Sequence, residues 1–180
     1  RTTQLEYTWL RSLMKRHKDF WQITEDSLEK SMKKFNINNN MRNELLNLYK
    51  VLSTFSEVKE TLENLKQKNF KLAILSNGTP KLLNHLVSTN NLQNIFDDIF
   101  SIEEVKIYKP DSRVYDLPIK KFKFRKDEIV FLSANTWDVS GAGNYGFNSI
   151  WVNRSNNIFD SLDFKPNIEI KSLNELLSII

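Results

Sequence analysis

Apolar positions in the first third of this 180-residue chain recur every three or four residues. The first such stretch carries Leu5, Trp9 and Leu13 at spacings of four, the stripe of an amphipathic helix. A second helix is predicted to begin at Thr24, whose hydroxyl would cap it. A third is predicted from the apolar positions 41, 45, 48 and 52. Residues 1–55 are therefore expected to form a helical subdomain.

From Ser56 onward, short apolar runs alternate with helical patterns. Strands are predicted at residues 72–75, 129–132 and 149–152, a further strand is possible near residues 168–170, and a short apolar piece lies around residues 99–100. Helices are predicted between them, with Ser56, Thr79 and Ser172 as caps, Pro80 in a first helical turn and Gly146 just after a helix end. Strands and helices that alternate with short connections favour a three-layer α/β domain around a mostly parallel sheet. We assign this domain to residues 56–180.

Two of the predicted strands end in polar residues. The run at 129–132 is uniformly apolar, which predicts a strand buried on both faces, and Ser133, Asn135 and Asp138 follow it. The run at 72–75 is followed by Ser76 and Asn77. Ligands bind outside the carboxyl ends of strands in open parallel sheets. The sequence therefore predicts an active-site crevice at these two strand ends.

Composition excludes several classes of protein. Hydrophobic residues at 40% and charged residues at 27% are ordinary values for a globular domain. The net charge of +4 comes from dispersed lysines, which favours a solvated surface over a nucleic-acid interface. Apolar runs are too short for a membrane span and no leader opens the chain, so we expect a cytoplasmic protein with no nucleic-acid or membrane partner. The absence of cysteine and the presence of only two histidines exclude disulfides and argue against a zinc site.

Four motifs stand out along the chain. They are the segment 1–13, Leu75-Ser76-Asn77-Gly78, Tyr108-Lys109-Pro110-Asp111 with Arg113-Val114-Tyr115, and Ser133-Ala134-Asn135 with Trp137-Asp138. Together they resemble the (S)-2-haloacid dehalogenases of the haloacid dehalogenase superfamily. The resemblance covers nearly the whole chain, with the motifs in the family's order. The resemblance implies an α/β fold: a Rossmann-like core with a parallel sheet and a helical cap.

It also implies a hydrolysis in two displacements. In the family, an aspartate on the first strand attacks the carbon that bears the halogen, which releases halide and forms an ester. Water then hydrolyses that ester. The substrate would be a short 2-haloalkanoic acid, and no cofactor would be needed.

Roles for individual residues follow from the resemblance. Arg1 would receive the halide, Lys109 would lie beside the nucleophile and keep it ionised, and Ser76 with Asn77 and nearby backbone N–H groups would hold the substrate carboxylate. The network that positions the hydrolytic water would consist of Tyr115, Ser133, Asn135 and Asp138. The apolar wall around the substrate would consist of Leu5, Phe20 and Trp137.

Phosphatases of the superfamily carry an acidic pair after the strand that corresponds to residues 129–132. This chain has Ser133, Ala134 and Asn135 there, which leaves Asp138 as the single carboxylate. One carboxylate makes a poor magnesium site, so we expect no metal. This favours carbon–halogen chemistry, and a phosphatase stays the alternative.

No segment of the chain matches the family's first strand, with its Asp-x-Tyr-Gly-Thr nucleophile motif. Because that strand lies inside the sheet, its absence should leave an unpaired edge on two strands. We therefore expect the 180 residues alone to be inactive. Two alternatives stay open: a non-catalytic remnant, or one half of a split enzyme that needs a complementary N-terminal chain. A homodimer is also common in the family.

Overall fold

The computed structural model describes residues 1–180, which cluster into two compact units. One unit comprises residues 1–53 and 74–108, and the other comprises residues 54–73 and 109–180. The predicted boundary at residue 55 falls close to the first change of unit. The assignment of residues 56–180 to a single domain stays a prediction.

Seven α-helices and five strands make up the fold. The helices are α1 (Thr2–Leu13), α2 (Phe20–Lys34), α3 (Arg42–Asn47), α4 (Val58–Gln67), α5 (Pro80–Thr89), α6 (Ser112–Phe122) and α7 (Thr136–Tyr145). The strands are β1 (Ala73–Ser76), β2 (Asp98–Ser101), β3 (Val130–Ser133), β4 (Asn148–Val152) and β5 (Ile168–Ile170). Five short 3-10 helices complete the structure: Asn39–Met41, Leu48–Lys50, Ile102–Glu104, Lys126–Glu128 and Leu173–Ser178.

The predicted start of the second helix at Thr24 is wrong. Helix α2 begins at Phe20, and the Asp19 side chain caps it by accepting a hydrogen bond from the Gln22 N–H at 2.9 Å. Thr24 lies within the helix, where its buried hydroxyl donates to the Phe20 carbonyl at 2.8 Å. A threonine hydroxyl can be satisfied inside a helix in this way, which competes with its capping role.

Two other helix predictions also need correction. The third helix, α3, has six residues, which is fewer than two turns. Its predicted extent also includes residues of the flanking 3-10 helices, and it runs past them to residue 52, where no helix is present. Ser56 does not cap α4, since Glu57 precedes that helix and no side chain caps it. The Glu57 carboxylate instead accepts a hydrogen bond from the Ser172 hydroxyl at 3.1 Å.

Other predicted helix ends are confirmed. Thr79 caps α5 by accepting a hydrogen bond from the Leu82 N–H at 3.4 Å, and Pro80 is the first residue of that helix. Helix α7 ends at Gly146, whose φ of 112° lies in the left-handed region that favours glycine.

Strands β3, β4 and β5 form a sheet in that order. Both pairs of strands are parallel, as predicted. Central strand β4 is buried from its second residue onward. The sheet packs on α4 and the C-terminal 3-10 helix through one apolar core. Its fully buried members are Leu65, Ile150, Val152, Ile170 and Leu176.

Strand β3 is not buried on both faces. Val130 is 36% exposed and the other three residues of the strand are half-buried. The reason is that β3 lies at the edge of its sheet. Strand β1 pairs with β2 in a separate two-stranded sheet.

None of the helices combines the length and the apolar character that a membrane span requires.

Candidate active site

Asp138 is the centre of a buried polar network at the carboxyl end of β3. It is the third residue of α7 and is 2% exposed. Its backbone N–H donates to the Asn135 carbonyl at 3.1 Å, which fixes the first turn of the helix. A carboxylate in the first helical turn is favoured by the positive end of the helix dipole.

Lys109 is the cation that balances Asp138. Its ammonium Nζ lies 2.7 Å from Asp138 Oδ2, and the two side chains are 8% and 3% exposed. The same Nζ lies 5.4 Å from the centre of the Phe131 ring. Buried charges of this kind are tolerated when they are paired and hydrogen-bonded.

Two hydroxyl groups complete the network. Tyr115 donates to Asp138 Oδ1 at 2.9 Å, and Ser133 donates to Asp138 Oδ2 at 3.1 Å. Burial raises the pKa of Tyr115, and the Asp138 carboxylate raises it further, so the phenol keeps its proton. Ser133 Oγ also accepts from the Asn135 N–H at 3.1 Å. Both oxygens of Asp138 are therefore engaged.

Gly141 is a residue of this site that the sequence reasoning missed. It lies one helical turn after Asp138, where a methyl group would lie 2.6 Å from the Tyr115 hydroxyl and 2.6 Å from Pro110 Cβ. Glycine in a helix interior is unfavourable on its own, which was the available signal. The absence of a side chain at Gly141 lets α6 bring Tyr115 against α7.

A cavity of about 520 Å³ opens beside the network. Asn135 and Trp137 line it, and the Asn135 side chain is not used to cap α7. The remaining lining residues come from the β3–α7 turn and from the loop after β4: Ala134, Thr136, Asn156, Asn157 and Ile158.

Ser76 and Asn77 lie at the end of β1, in the other unit. The Ser76 hydroxyl accepts a hydrogen bond from the Gly78 N–H at 3.0 Å, and the Ser101 hydroxyl donates to the Gly78 carbonyl at 2.6 Å. Asn77 is 8% exposed. This braced turn leads directly into α5, and the backbone N–H groups of a helix N-terminus favour a carboxylate.

The three other predicted residues of this unit lie on or next to α1 and α2. Arg1 precedes α1 and donates to the Gln4 side chain at 2.9 Å. Gln4 in turn donates to the Thr24 hydroxyl at 2.6 Å and is 1% exposed. Leu5 is half-buried on α1, and Phe20 is 9% exposed as the first residue of α2.

The predicted residues thus fall into two groups. The structure joins Lys109, Tyr115 and Ser133 directly to Asp138, and it places Asn135 and Trp137 at the adjacent cavity. Within residues 1–180 Lys109 contacts Asp138, and its place beside the nucleophile stays a prediction. No group of three or more histidine, aspartate or glutamate side chains in residues 1–180 could hold a metal ion.

The model of the family described as haloacid dehalogenase-like hydrolase matches residues 8–152. An (S)-2-haloacid dehalogenase from Pseudomonas sp. (strain YL) is 40% identical over 181 aligned positions, which cover 99% of this chain and 78% of the relative. The chain belongs to the haloacid dehalogenase-like hydrolases. The predicted family is confirmed.

Solved structures of the family agree with this assignment. A crystal structure described as a dehalogenase has a TM-score of 0.96 and 34% identity, over 99% of this chain and 80% of that one. An L-2-haloacid dehalogenase from Xanthobacter autotrophicus, solved with chloropropionic acid covalently bound, has a TM-score of 0.91 and 27% identity, over 99% of this chain and 82% of that one. These matches confirm the predicted Rossmann-like α/β fold with a helical cap.

Proposed function

We propose that this hydrolase removes halide from short 2-haloalkanoic acids through an aspartyl-ester intermediate. The observation that carries the proposal is the network in which Lys109, Tyr115 and Ser133 all contact the Asp138 carboxylate. The relative that is 40% identical is an (S)-2-haloacid dehalogenase, and the Xanthobacter autotrophicus structure holds chloropropionic acid covalently.

The reaction requires two balanced steps. In the first, a carboxylate oxygen bonds to C2 of the substrate and the C2–halogen bond breaks, so the bonding electron pair leaves with the halide. In the second, water loses a proton and its oxygen bonds to the ester carbonyl carbon. The bond between that carbon and the substrate oxygen then breaks, the leaving oxygen takes up a proton, and the 2-hydroxy acid and the free carboxylate result. Nucleophilic catalysis of this kind splits one difficult step into two easier ones.

Asp138 is unsuited to be the nucleophile itself. Oδ1 accepts from Tyr115, and Oδ2 accepts from both Lys109 and Ser133. A carboxylate with both oxygens engaged is a weak attacking group but a good acceptor for positioning neighbours. We assign Asp138, Tyr115, Ser133 and Asn135 to positioning the hydrolytic water, and the nucleophilic aspartate to a strand outside these 180 residues.

Substrate binding is assigned to the second group of residues. The turn at Ser76 and Asn77 would hold the substrate carboxylate with the N-terminus of α5, because backbone N–H groups at that end attract anions. Arg1 would receive the halide. Leu5, Phe20 and Trp137 would exclude water from the reacting carbon, which strengthens each electrostatic interaction there.

The test is halide release from (S)-2-chloropropanoate by the 180-residue chain mixed with a peptide that carries Asp-x-Tyr-Gly-Thr. We expect release with this peptide and none with the matched peptide in which asparagine replaces the aspartate. Equal release with both peptides would contradict the proposal, as would magnesium-dependent hydrolysis of a phosphate ester without any halide release. Release by the chain alone would show that the nucleophile lies within it.

Within the chain, Asp138→Asn should abolish the halide release seen with the peptide. The matched control is Asp111→Asn, since Asp111 pairs with Arg113 on the surface rather than with Lys109. That control should keep the activity. If both substitutions have the same effect, the assigned role of Asp138 is wrong.

A further inference from the structure

The loop that follows β4 bounds one side of the cavity beside Asn135. The cavity volume is about 520 Å³, and the cavity is widely open to solvent. A three-carbon haloacid has only six non-hydrogen atoms. The cavity therefore has space for a substrate with a longer side chain.

The chemistry of the lining indicates which part of a substrate would enter. None of the seven lining residues carries a charge, and the indole of Trp137 and the side chain of Ile158 supply apolar surface. Ile158 is 93% exposed. A ligand that covers this side chain would remove apolar surface from water, which favours an uncharged, apolar group over a carboxylate or phosphate.

Asn153 holds the loop that carries Ile158 in place. Its side chain is 3% exposed, and it donates to the Asn157 carbonyl at 3.0 Å and to Glu169 Oε1 at 2.8 Å. The Asn157 N–H donates back to Asn153 Oδ1 at 2.8 Å. The two asparagines thus close the turn reciprocally.

An ion pair between Arg154 and Glu57 also holds the loop, next to Asn153. The Arg154 guanidinium lies 2.5 Å from the Glu57 carboxylate, and it lies 3.9 Å from the centre of the Phe55 ring. A wall that is ordered before the ligand arrives costs less conformational entropy on binding. The loop is therefore a preformed wall of the cavity.

We propose that the loop of residues 153–158 forms the binding wall for the side chain of the 2-haloacid beyond C3, and that Ile158 sets the chain-length preference. The assignment of the ligand as a 2-haloacid rests on the proposed function. Asn153 acts as a positioning residue for Ile158.

The test measures binding without chemistry, so that it does not depend on turnover. Propanoate, butanoate, pentanoate and hexanoate carry no halogen and cannot react. Their dissociation constants for the full chain are measured by calorimetry, and the indole N–H signal of Trp137 is followed by NMR. We expect affinity to rise about two- to fourfold with each added methylene group, since a fully buried CH₂ corresponds to about fourfold.

Three variants distinguish a specific role of Ile158 from a general effect of exposed apolar side chains. Ile158→Ser should remove the dependence on chain length, and Ile158→Leu should keep it. The matched control is Leu162→Ala, because Leu162 is a 53% exposed residue of the same β4–β5 connection that does not line the cavity. The Leu162→Ala variant should show the same dependence of affinity on chain length as the unmodified protein.

Each outcome decides the proposal. Affinity that rises with chain length and loses this dependence only in Ile158→Ser supports it. No dependence, no binding, or a dependence that Ile158→Ser retains would overturn it. Halide release is measured separately, so failure of the proposed reaction with an intact chain-length dependence is distinguishable from failure of this inference.

Discussion

Lys109 and Asp138 form an ion pair of 2.7 Å between side chains that are both less than one tenth exposed. Lys109 lies three residues before the start of α6, and the pair joins it to the first turn of α7. The pair thus places a cation and a carboxylate near the end of β3. Such a pair is costly to desolvate, and removing one partner leaves the other charge buried. We therefore attribute its role to positioning, since the pair fixes the Lys109 ammonium and the Asp138 carboxylate next to each other.

Lys109→Met should destabilise the protein by about 3–5 kcal/mol, because it leaves the Asp138 charge without its cation. The measurement is urea unfolding at neutral pH. Arg113→Met is the matched control, since Arg113 pairs with Asp111 while its side chain is 63% exposed. Exposed pairs contribute about 1 kcal/mol or less. Equal losses in the two variants would show that burial of the Lys109 pair is not important.

Gly141→Ala should destabilise α7 although alanine is the better helix former by about 1 kcal/mol. The added methyl group would lie 2.6 Å from the Tyr115 hydroxyl and from Pro110 Cβ. Thermal unfolding measures the change. The double variant Gly141→Ala with Tyr115→Phe should lose less stability than the two single losses combined, because removing the hydroxyl relieves one of the two contacts. Strict additivity would contradict the proposed contact.

Tyr115→Phe should cost about 1.5–3 kcal/mol, the range for a hydrogen bond to a charged group. The hydroxyl donates to Asp138 Oδ1 at 2.9 Å within a buried site. Because burial and Asp138 raise the pKa of Tyr115, its phenolate absorbance should not appear in an alkaline titration until the protein unfolds. A Tyr115 contribution to the absorbance change of the folded state would contradict this assignment.

The pH dependence of stability should contain a contribution from Glu57. A hydrogen bond from its own backbone N–H, together with those from Arg154 and Ser172, lowers the pKa of Glu57 from 4.5 to about 2. The pKa is depressed in the folded state, so the stabilisation is present above pH 4.5 and is lost as the pH falls towards about 2. The difference in unfolding free energy between the unmodified chain and Glu57→Gln should shrink across this window. A difference that stays constant between about pH 7 and about pH 2 would contradict this contribution.

Hydrogen exchange should distinguish the edge of the sheet from its centre. Strand β4 is central and largely buried, whereas β3 has an unpaired edge and Val130 is 36% exposed. Amides of β4 should exchange most slowly, and those of β3 should exchange faster, because edge hydrogen bonds open with less unfolding. A peptide that completes the sheet should slow exchange in β3. Unchanged exchange in the presence of a peptide that restores halide release would place its binding elsewhere.

Local sequence patterns determined most of the strands, several helix boundaries and part of the candidate site. Alternating strands and helices predicted the parallel β3–β4–β5 sheet, and Thr79-Pro80 and Gly146 marked helix ends that the structure confirms. Ser133, Asn135 and Asp138 were identifiable because they follow an apolar run that could only be a strand. These features depend on residues close in sequence, where backbone preference and side-chain period act directly.

Tertiary structure decided the contacts between distant segments. Helix α2 begins at Phe20 and not at Thr24, because the Thr24 hydroxyl forms its hydrogen bonds inside the helix. It donates to the Phe20 carbonyl and accepts from the Gln4 side chain. The contact between Lys109 and Asp138 joins residues that are 29 positions apart. Glycine is needed at position 141 because the Tyr115 hydroxyl lies where a side chain would be. Tertiary structure also left β3 half exposed, since burial depends on which strand lies alongside and not on how apolar the strand itself is. Packing between distant segments depends on the whole fold, so it cannot be predicted from a local sequence pattern.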